Sequence, residues 1–300
     1  MTSTDLGGLL LTHREHSPEL RRAIRAGVLE RIRRGAYAPP QPESHAQRRI
    51  RAFQRIVAVA AGSRSPVVIS HESAALLWGL PTLRIPIITH LIQPSPASGR
   101  DAADVKRHCL QLPDHERTIR ERIPVTTLQR TVLDCARTLP LREAIVIADA
   151  ALTGGLDPHA LIKRVRTIAG RPGARRAREV TRLMRPGSES AGESLTRVAL
   201  VEGGLPEPEV QLPVWTPFGS YRLDMGWREW QVGLEFDGKV KYSELTDDPA
   251  EVLFAEKERQ NAIEAQGWIL VRATFRDLRD PVRLCDLVGG VLRRAGWPAT

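Results

Sequence analysis

The sequence predicts an α/β protein of several domains. Its 300 residues exceed one ordinary domain and, at about 100–200 residues each, suggest two or three. Hydrophobic residues are 42% and charged residues 26% of the chain, the balance of a soluble globular protein, which excludes wholesale disorder. Helical and strand-like patterns then alternate from end to end, separated by Gly, Pro and capping residues.

No apolar run approaches the roughly 20 residues that cross a bilayer, and Met1 to Leu11 lacks the basic start and long apolar stretch of a secretion signal. The three cysteines, Cys109, Cys135 and Cys285, are odd in number and far apart. They fit neither a disulfide framework nor a zinc site, and a reducing cytoplasm is the expected compartment. Lys plus Arg number 44 against 35 Asp plus Glu, a net charge of +9. That excess points to a polyanion such as nucleic acid. Arginine carries nearly all of it, since the lysines are only Lys106, Lys163, Lys239, Lys241 and Lys257.

Residues 1–62 form the first stretch. Ser17-Pro18-Glu19 starts a helix with a Ser cap, a Pro at the first helical position and an acid in the first turn. The helix stops at Gly27. "VLERIRRGAYAPP" then reads as a β-hairpin with a basic tip. Helix, capped stop and basic hairpin make a winged helix-turn-helix pattern. Arg21, Arg22 and Arg25 line the exposed face of the presumed recognition helix, with Arg33 and Arg34 on the wing near phosphates. The plainer alternative is a small helix-and-hairpin domain with a solvated basic face.

Residues 63–170 form a mixed α/β middle region. "VVISHESAALLWGLP" is a strand, a capping Ser70, a short helix and a Gly-Leu-Pro stop. "THLIQPS" and "VKRHCLQLP" are short strands, and "PVTTLQRTVLDCARTLP" starts a helix at the Thr126-Thr127 cap. Two further helices follow, "LREAIVIADAALTGG" and "PHALIKRVRTIAG". His71 and Glu72 near a helix start read as capping or packing, and no site is assigned there. Between Lys163 and Arg185 stand nine Lys or Arg and a single acid, Glu179. Residues 171–187 are read as a basic linker, either lying on a phosphate backbone or simply solvated.

Residues 188–300 give the order helix, three strands, helix, strand, helix. In the strand "QVGLEFDGKVKY", alternation puts Val232, Leu234 and Phe236 on one face and Glu235 and Asp237 on the other. If the extended path continues, Lys239 and Lys241 share the acidic side. Asp224 ends the preceding strand and can sit beside Glu235 across the hairpin. Carboxylates that converge repel each other unless a cation lies among them, and an oxygen-rich set suits Mg²⁺ or Mn²⁺. Glu193 adds an acid from the first helix of this stretch, with Glu189 expected one turn earlier on the same face. A polar, solvated sheet face is the plainer alternative.

"RLDMGW", "GLEFDG" and "GWILVRATFRDL" resemble the restriction-endonuclease-like PD-(D/E)XK superfamily, in particular its branch related to very-short-patch repair endonucleases. The likeness covers about residues 188–295. The winged helix with "RRGAY", then "SHESAALLWGLP" and "PVTTLQRTVLDCA", resembles the AbiEi type of antitoxin over about residues 6–152. The resemblance implies an α/β/α nuclease domain, with Asp224 and Glu235 as metal ligands, Glu193 as the helix-borne acid and Asp237 as a further site acid. The superfamily places lysine where this chain has Asp237, so that role passes to Lys239 or Lys241 or is absent. The first expectation is Mg²⁺-dependent cutting of duplex DNA. The second is an antitoxin or transcriptional regulator that binds operator DNA, with a possible cognate toxin as partner. An RNA substrate differs only in the polymer cut.

Overall fold

The computed structural model describes residues 8–12, 17–63, 65–96, 102–238 and 249–298. These residues form a mixed α/β protein of ten α-helices and three sheets. No helix among them is long and apolar enough to cross a membrane. The chain divides into two compact units, Met1–Ile147 with Pro158–Arg178, and Ala148–Asp157 with Glu179–Thr300.

In the first unit, β1 (Leu10–Leu11) pairs antiparallel with β3 (Ala36–Ala38), which pairs with β2 (Glu30–Arg33). The helix expected after Ser17 is α1 (Pro18–Arg25). The Ser17 hydroxyl accepts the Leu20 N–H at 3.1 Å, and Gly27 ends the helix in the left-handed conformation at φ +69°. Among the described residues α1 is the one helix ahead of the β2–β3 hairpin; the next helix, α2 (His45–Gly62), follows it. α2 holds the hairpin through Arg51, which pairs with Glu30 and donates to the Pro39 carbonyl at 2.9 Å.

α2 also sends Phe53, Ile56 and Val59 into a core with Ile69, Leu91 and Val125. That core belongs to a five-stranded sheet ordered β6-β5-β4-β8-β7, built from β4 (Val68–Ile69), β5 (Thr89–Gln93), β6 (Val105–Cys109), β7 (Arg117–Arg120) and β8 (Ile123–Thr126). The two-residue β4 leads directly into α3 (His71–Leu77). α4 (Leu128–Thr138) begins at the predicted cap, where the Thr127 hydroxyl accepts the Arg130 N–H at 3.4 Å. α5 (Leu141–Thr153), α6 (Pro158–Arg166) and α7 (Ala174–Leu183) follow. The basic stretch therefore carries an amphipathic helix: Ala174, Ala177, Val180 and Leu183 are buried, and its arginines alternate with them. Arg176 donates to the carbonyls of Arg137 and Thr138 at 3.3 and 3.0 Å, a cation placed at the C-terminal end of α4.

The second unit contains α8 (Ala191–Glu202), β9 (Glu209–Thr216), β10 (Gly219–Trp227), β11 (Val232–Asp237), α9 (Pro249–Glu264), β12 (Ile269–Thr274) and α10 (Pro281–Arg294). The sheet order is β12-β11-β10-β9. β11 and β12 run parallel, with α9 as the crossover that a parallel pair requires. Leu234, Met225, Leu200 and Val288 occupy a core on the α8 and α10 side. Leu223, Leu212, Ile263 and Trp268 form another on the α9 side. Under α8, Arg197 is fully buried and donates to Asp149 Oδ2 at 2.8 Å, so the charge is satisfied by an equally buried carboxylate.

Candidate functional site

The acids expected on the C-terminal sheet meet where β10 changes course. Residues two apart on a regular strand share a face, yet Leu223 packs in the α9-side core and Met225 in the α8-side core. The chain therefore turns over at Asp224. Opposite it on β9, Gln211 adopts φ +55°, a sparsely populated conformation for a residue with a side chain. The β10–β11 ladder reaches Met225↔Leu234. One step further, Asp224 Oδ2 takes the Phe236 N–H at 2.7 Å in place of a strand-to-strand bond.

Glu193 belongs to the first turn of α8 and is buried. The helix cap is Ser190, whose hydroxyl accepts the Glu193 N–H at 3.2 Å. In return Glu193 Oε1 accepts the Ser190 hydroxyl at 2.8 Å, and Oε2 accepts the Glu189 N–H at 2.8 Å and Gln211 Nε2 at 3.3 Å. This is a variant of the reciprocal cap seen at helix starts. Glu189 is not on the helix as expected. The extended backbone of Ser190, φ −139°, starts the helix after it, and Glu189 instead pairs with Arg222 of β10. Gly192 brings α8 against β11: a Cβ there would stand 1.9 Å from the Phe236 ring, so a larger residue would push Glu193 away from the sheet.

Glu235 faces the α9 side. Arg259 of α9 pairs with it, and Arg272, its register partner on β12, lies 4.0 Å away. Asp237 ends β11 opposite Thr274 and is partly exposed. Lys239 and Lys241 lie outside the described residues.

Charge links these acids through Asp224. Burial pushes the Glu193 carboxyl up; the Glu189 N–H and the Ser190 hydroxyl oppose the rise, and the negative charge of Asp224 adds to it. Burial likewise raises Glu235, against the pull of Arg259, with Glu256 and Asp224 adding to the rise. Asp224 thus influences an acid on each side of the sheet. The three do not close into a compact set. Among the described residues, the group of three acidic, His or Cys side chains whose ligand atoms lie within 4.8 Å of one another is His71, His90 and His108. Glu193 is drawn back to its own helix start and Glu235 toward Arg259, and these contacts hold the carboxylates apart.

In the first unit, Arg21, Arg22 and Arg25 are exposed along α1, away from the buried Leu20. Arg34 is exposed at the hairpin turn. Arg33 departs from the expected phosphate-facing position. It is half-buried and lies 3.5 Å from Asp104, because the bulge between Arg31 and Arg33 turns it inward.

Sequence reasoning missed Gln211, Arg259 and Arg272 at the acidic site, and His90 and His108 near His71. Only the strand register places Arg272 beside Glu235, and nothing in the linear pattern reports a left-handed Gln211.

No family model matches the chain. It is 32% identical over 168 residues to two uncharacterised proteins of Mycobacterium tuberculosis, MT2308 of strain CDC 1551 / Oshkosh and Rv2248 of strain ATCC 25618 / H37Rv. The match covers 55% of this chain and 60% of each relative, so the chain spans less than two thirds of their length. Among solved structures it is similar to the RV2827C protein of Mycobacterium tuberculosis, with a TM-score of 0.38 and 17% identity over 72% of this chain and 86% of that one. That likeness is too slight to bear on function.

Proposed function

We propose that the protein binds duplex DNA and that Glu193, Asp224 and Glu235 hold a divalent ion, Mg²⁺ or Mn²⁺, for hydrolysis of a phosphodiester. The observation that carries this reading is Asp224 itself. A carboxylate stands at a kink in the sheet, opposite a left-handed Gln211, and its charge disfavours ionisation of a buried acid on either side. An ion at Asp224 would offset that repulsion; to share it, Glu193 and Glu235 leave Ser190 and Arg259, the contacts that now hold them apart. The donor set is all oxygen, which fits a hard ion. When bound, the ion would polarise a phosphoryl oxygen and lower the pKa of a water. Arg259, which pairs with Glu235, would compete with the ion for that carboxylate and, once released, would be available to meet a phosphate. Asp237 at the strand end adds a further acid, and the lysine role passes to Lys239 or Lys241, which lie outside the described residues, or is absent. Arg21, Arg22, Arg25 and Arg34 supply phosphate contacts. Three free cysteines suit a reducing cytoplasm.

One observation favours a second reading, an operator-binding regulator or AbiEi-like antitoxin with a silent nuclease fold: Glu193 and Glu235 already have partners in Ser190 and Arg259. Nicking of supercoiled plasmid with added Mg²⁺ or Mn²⁺, alongside RNA of matched length, tests both. The nuclease reading expects metal-dependent nicking that Asp224→Ala and Glu235→Ala abolish. Binding without cleavage supports the regulator, and cutting of RNA alone replaces the DNA substrate.

A further inference from the structure

The first unit brings together three histidines that stand far apart in sequence. β4 ends beside β5, where the Ser70 N–H donates to the His90 carbonyl at 3.0 Å. The chain then turns at His71, φ +53°, into α3. That step places the His71 ring against strands β5 and β6. His90 and His108 lie on those neighbouring parallel strands, two register positions apart and on one face, since His90 pairs with Lys106 and Ile92 with His108. The rings of His71 and His108 stack at 4.1 Å between centroids, and His90 lies 5.0 and 5.3 Å from them.

The polar atoms are arranged for coordination. His108 Nε2 and His90 Nδ1 are 3.2 Å apart. The two share a hydrogen bond; nitrogen ligands on a tetrahedral zinc at about 2.0–2.1 Å stand about 3.4 Å from each other, so an ion can take the place of the shared proton with little change in separation. His71 holds the Ser70 hydroxyl with Nδ1 at 3.0 Å, which leaves Nε2 as its ligand atom. The three ligand atoms all lie within 4.8 Å of one another, and a contraction of about 1.4 Å or less closes the set. His90 Nε2 faces Glu72 Oε2 at 3.8 Å. With Nδ1 on a metal, that ring N–H points to a carboxylate, the arrangement that orients metal-bound imidazoles. The hydroxyl of Ser73 accepts the His90 N–H at 3.0 Å and fixes the strand behind it.

We propose that His71, His90 and His108 form a binding site for a late first-row divalent transition ion of the zinc class, with Glu72 orienting His90. Three imidazoles select such an ion over Mg²⁺ and leave a fourth position for water or a further ligand. The rings are kept neutral, as coordination requires: burial and the neighbouring histidines push His71 down to about 2 and His90 to about 4, and His108 is also lowered. Two cations oppose an incoming ion, exposed Lys106 and Arg130. Arg130 is neutralised by Asp134 and Glu116.

The test uses the full chain, free of any histidine tag and stripped with a chelator. Zinc is titrated against a chromophoric chelator, and cobalt is added separately to read the visible bands of a tetrahedral centre. One equivalent of zinc and a tetrahedral cobalt spectrum are expected. His90→Gln and His108→Gln should each lose that equivalent. Glu72→Gln should keep the stoichiometry and weaken binding about 10- to 100-fold. Asp224→Asn with Glu235→Gln removes any zinc held by the carboxylates of the other unit; the tetrahedral cobalt spectrum and the equivalent lost in His108→Gln should remain in it, so failure here and failure of the nuclease reading are separate results. Circular dichroism confirms folding, and the half-buried His108 variant serves if His90→Gln does not fold. Absence of stoichiometric zinc, or binding that survives in the folded His108→Gln variant, overturns the site.

Discussion

The Phe236 N–H and Asp224 Oδ2 are joined by a hydrogen bond of 2.7 Å at the point where β10 and β11 part. The contact gives Asp224 two roles that substitution can separate. Asparagine keeps an oxygen for the N–H and removes the charge that disfavours ionisation of Glu193 and Glu235. Asp224→Asn is therefore expected to unfold at the same or a higher urea concentration than the parent. It should also lose several kcal/mol of transition-state stabilisation, about a hundredfold or more in metal-dependent nicking. A lower urea midpoint would show that the charge stabilises the fold, and the crowding account would fail.

Arg259 pairs with Glu235 and would compete with an ion held there. Arg259→Met keeps much of the side-chain packing and leaves Glu235 beside Asp224 and Glu256 with less compensation. The metal-free protein should lose about 1–3 kcal/mol of stability, the cost of leaving a largely buried group short of its partner. Mn²⁺ binding, measured by calorimetry, should tighten several-fold. Weaker Mn²⁺ binding in this variant would show that Arg259 supports the ion and does not exclude it.

Local signals carried far in this chain. Ser17-Pro18 and Thr126-Thr127 start helices where their chemistry says they should, because caps act within one turn. The period-two pattern of Val232 to Asp237 puts Leu234 in a core and Glu235 on the opposite face. What escaped depends on partners remote in sequence. Glu189 falls outside α8 because Ser190 wins the capping position. Arg33 turns to Asp104, which lies in the turn just before β6, remote from the hairpin in sequence. His90 and His108 join His71 only through the pairing of β4, β5 and β6, and each looks like an isolated core histidine when read alone.

The contrast between Arg33 and the arginines of α1 gives a binding prediction. Arg21→Ala with Arg25→Ala should weaken affinity for duplex DNA regardless of sequence. The slope of log K against log salt should fall by about one for each phosphate that is no longer neutralised. Arg33→Ala should leave both quantities unchanged, since its guanidinium is turned toward Asp104. Fluorescence anisotropy over a sodium chloride series reads all three proteins. An Arg33 effect equal to that of the α1 pair would mean that Asp104 releases it when DNA arrives.

Glu116 ties α4 and α6 to the strand end in the first unit, taking Arg130 on one oxygen and Arg164 on the other at 2.6 Å. Burial pushes its carboxyl up, but the hydrogen bonds from Arg130 and Arg164 outweigh burial and hold it below its ordinary value of 4.5. An acid whose folded pKa is depressed contributes stability above its unfolded value, and that contribution disappears as pH falls through the folded value. Glu116→Gln should therefore cost about 2 kcal/mol at neutral pH, the worth of hydrogen bonds to a charged group. The deficit should shrink progressively below about pH 4.5, the unfolded reference for Glu. Neighbouring Asp134 behaves oppositely. Burial raises it to about 6 against the pull of Arg130, so its contribution falls as pH climbs from 3.8 toward that value. The Glu116 charge adds to that rise, so Glu116→Gln also eases Asp134 and offsets part of the deficit as pH climbs through this range. Urea midpoints of the two chains from pH 3 to pH 7 measure the deficit. A deficit that stays constant across the range would mean that Glu116 acts through packing, with its charge contributing nothing.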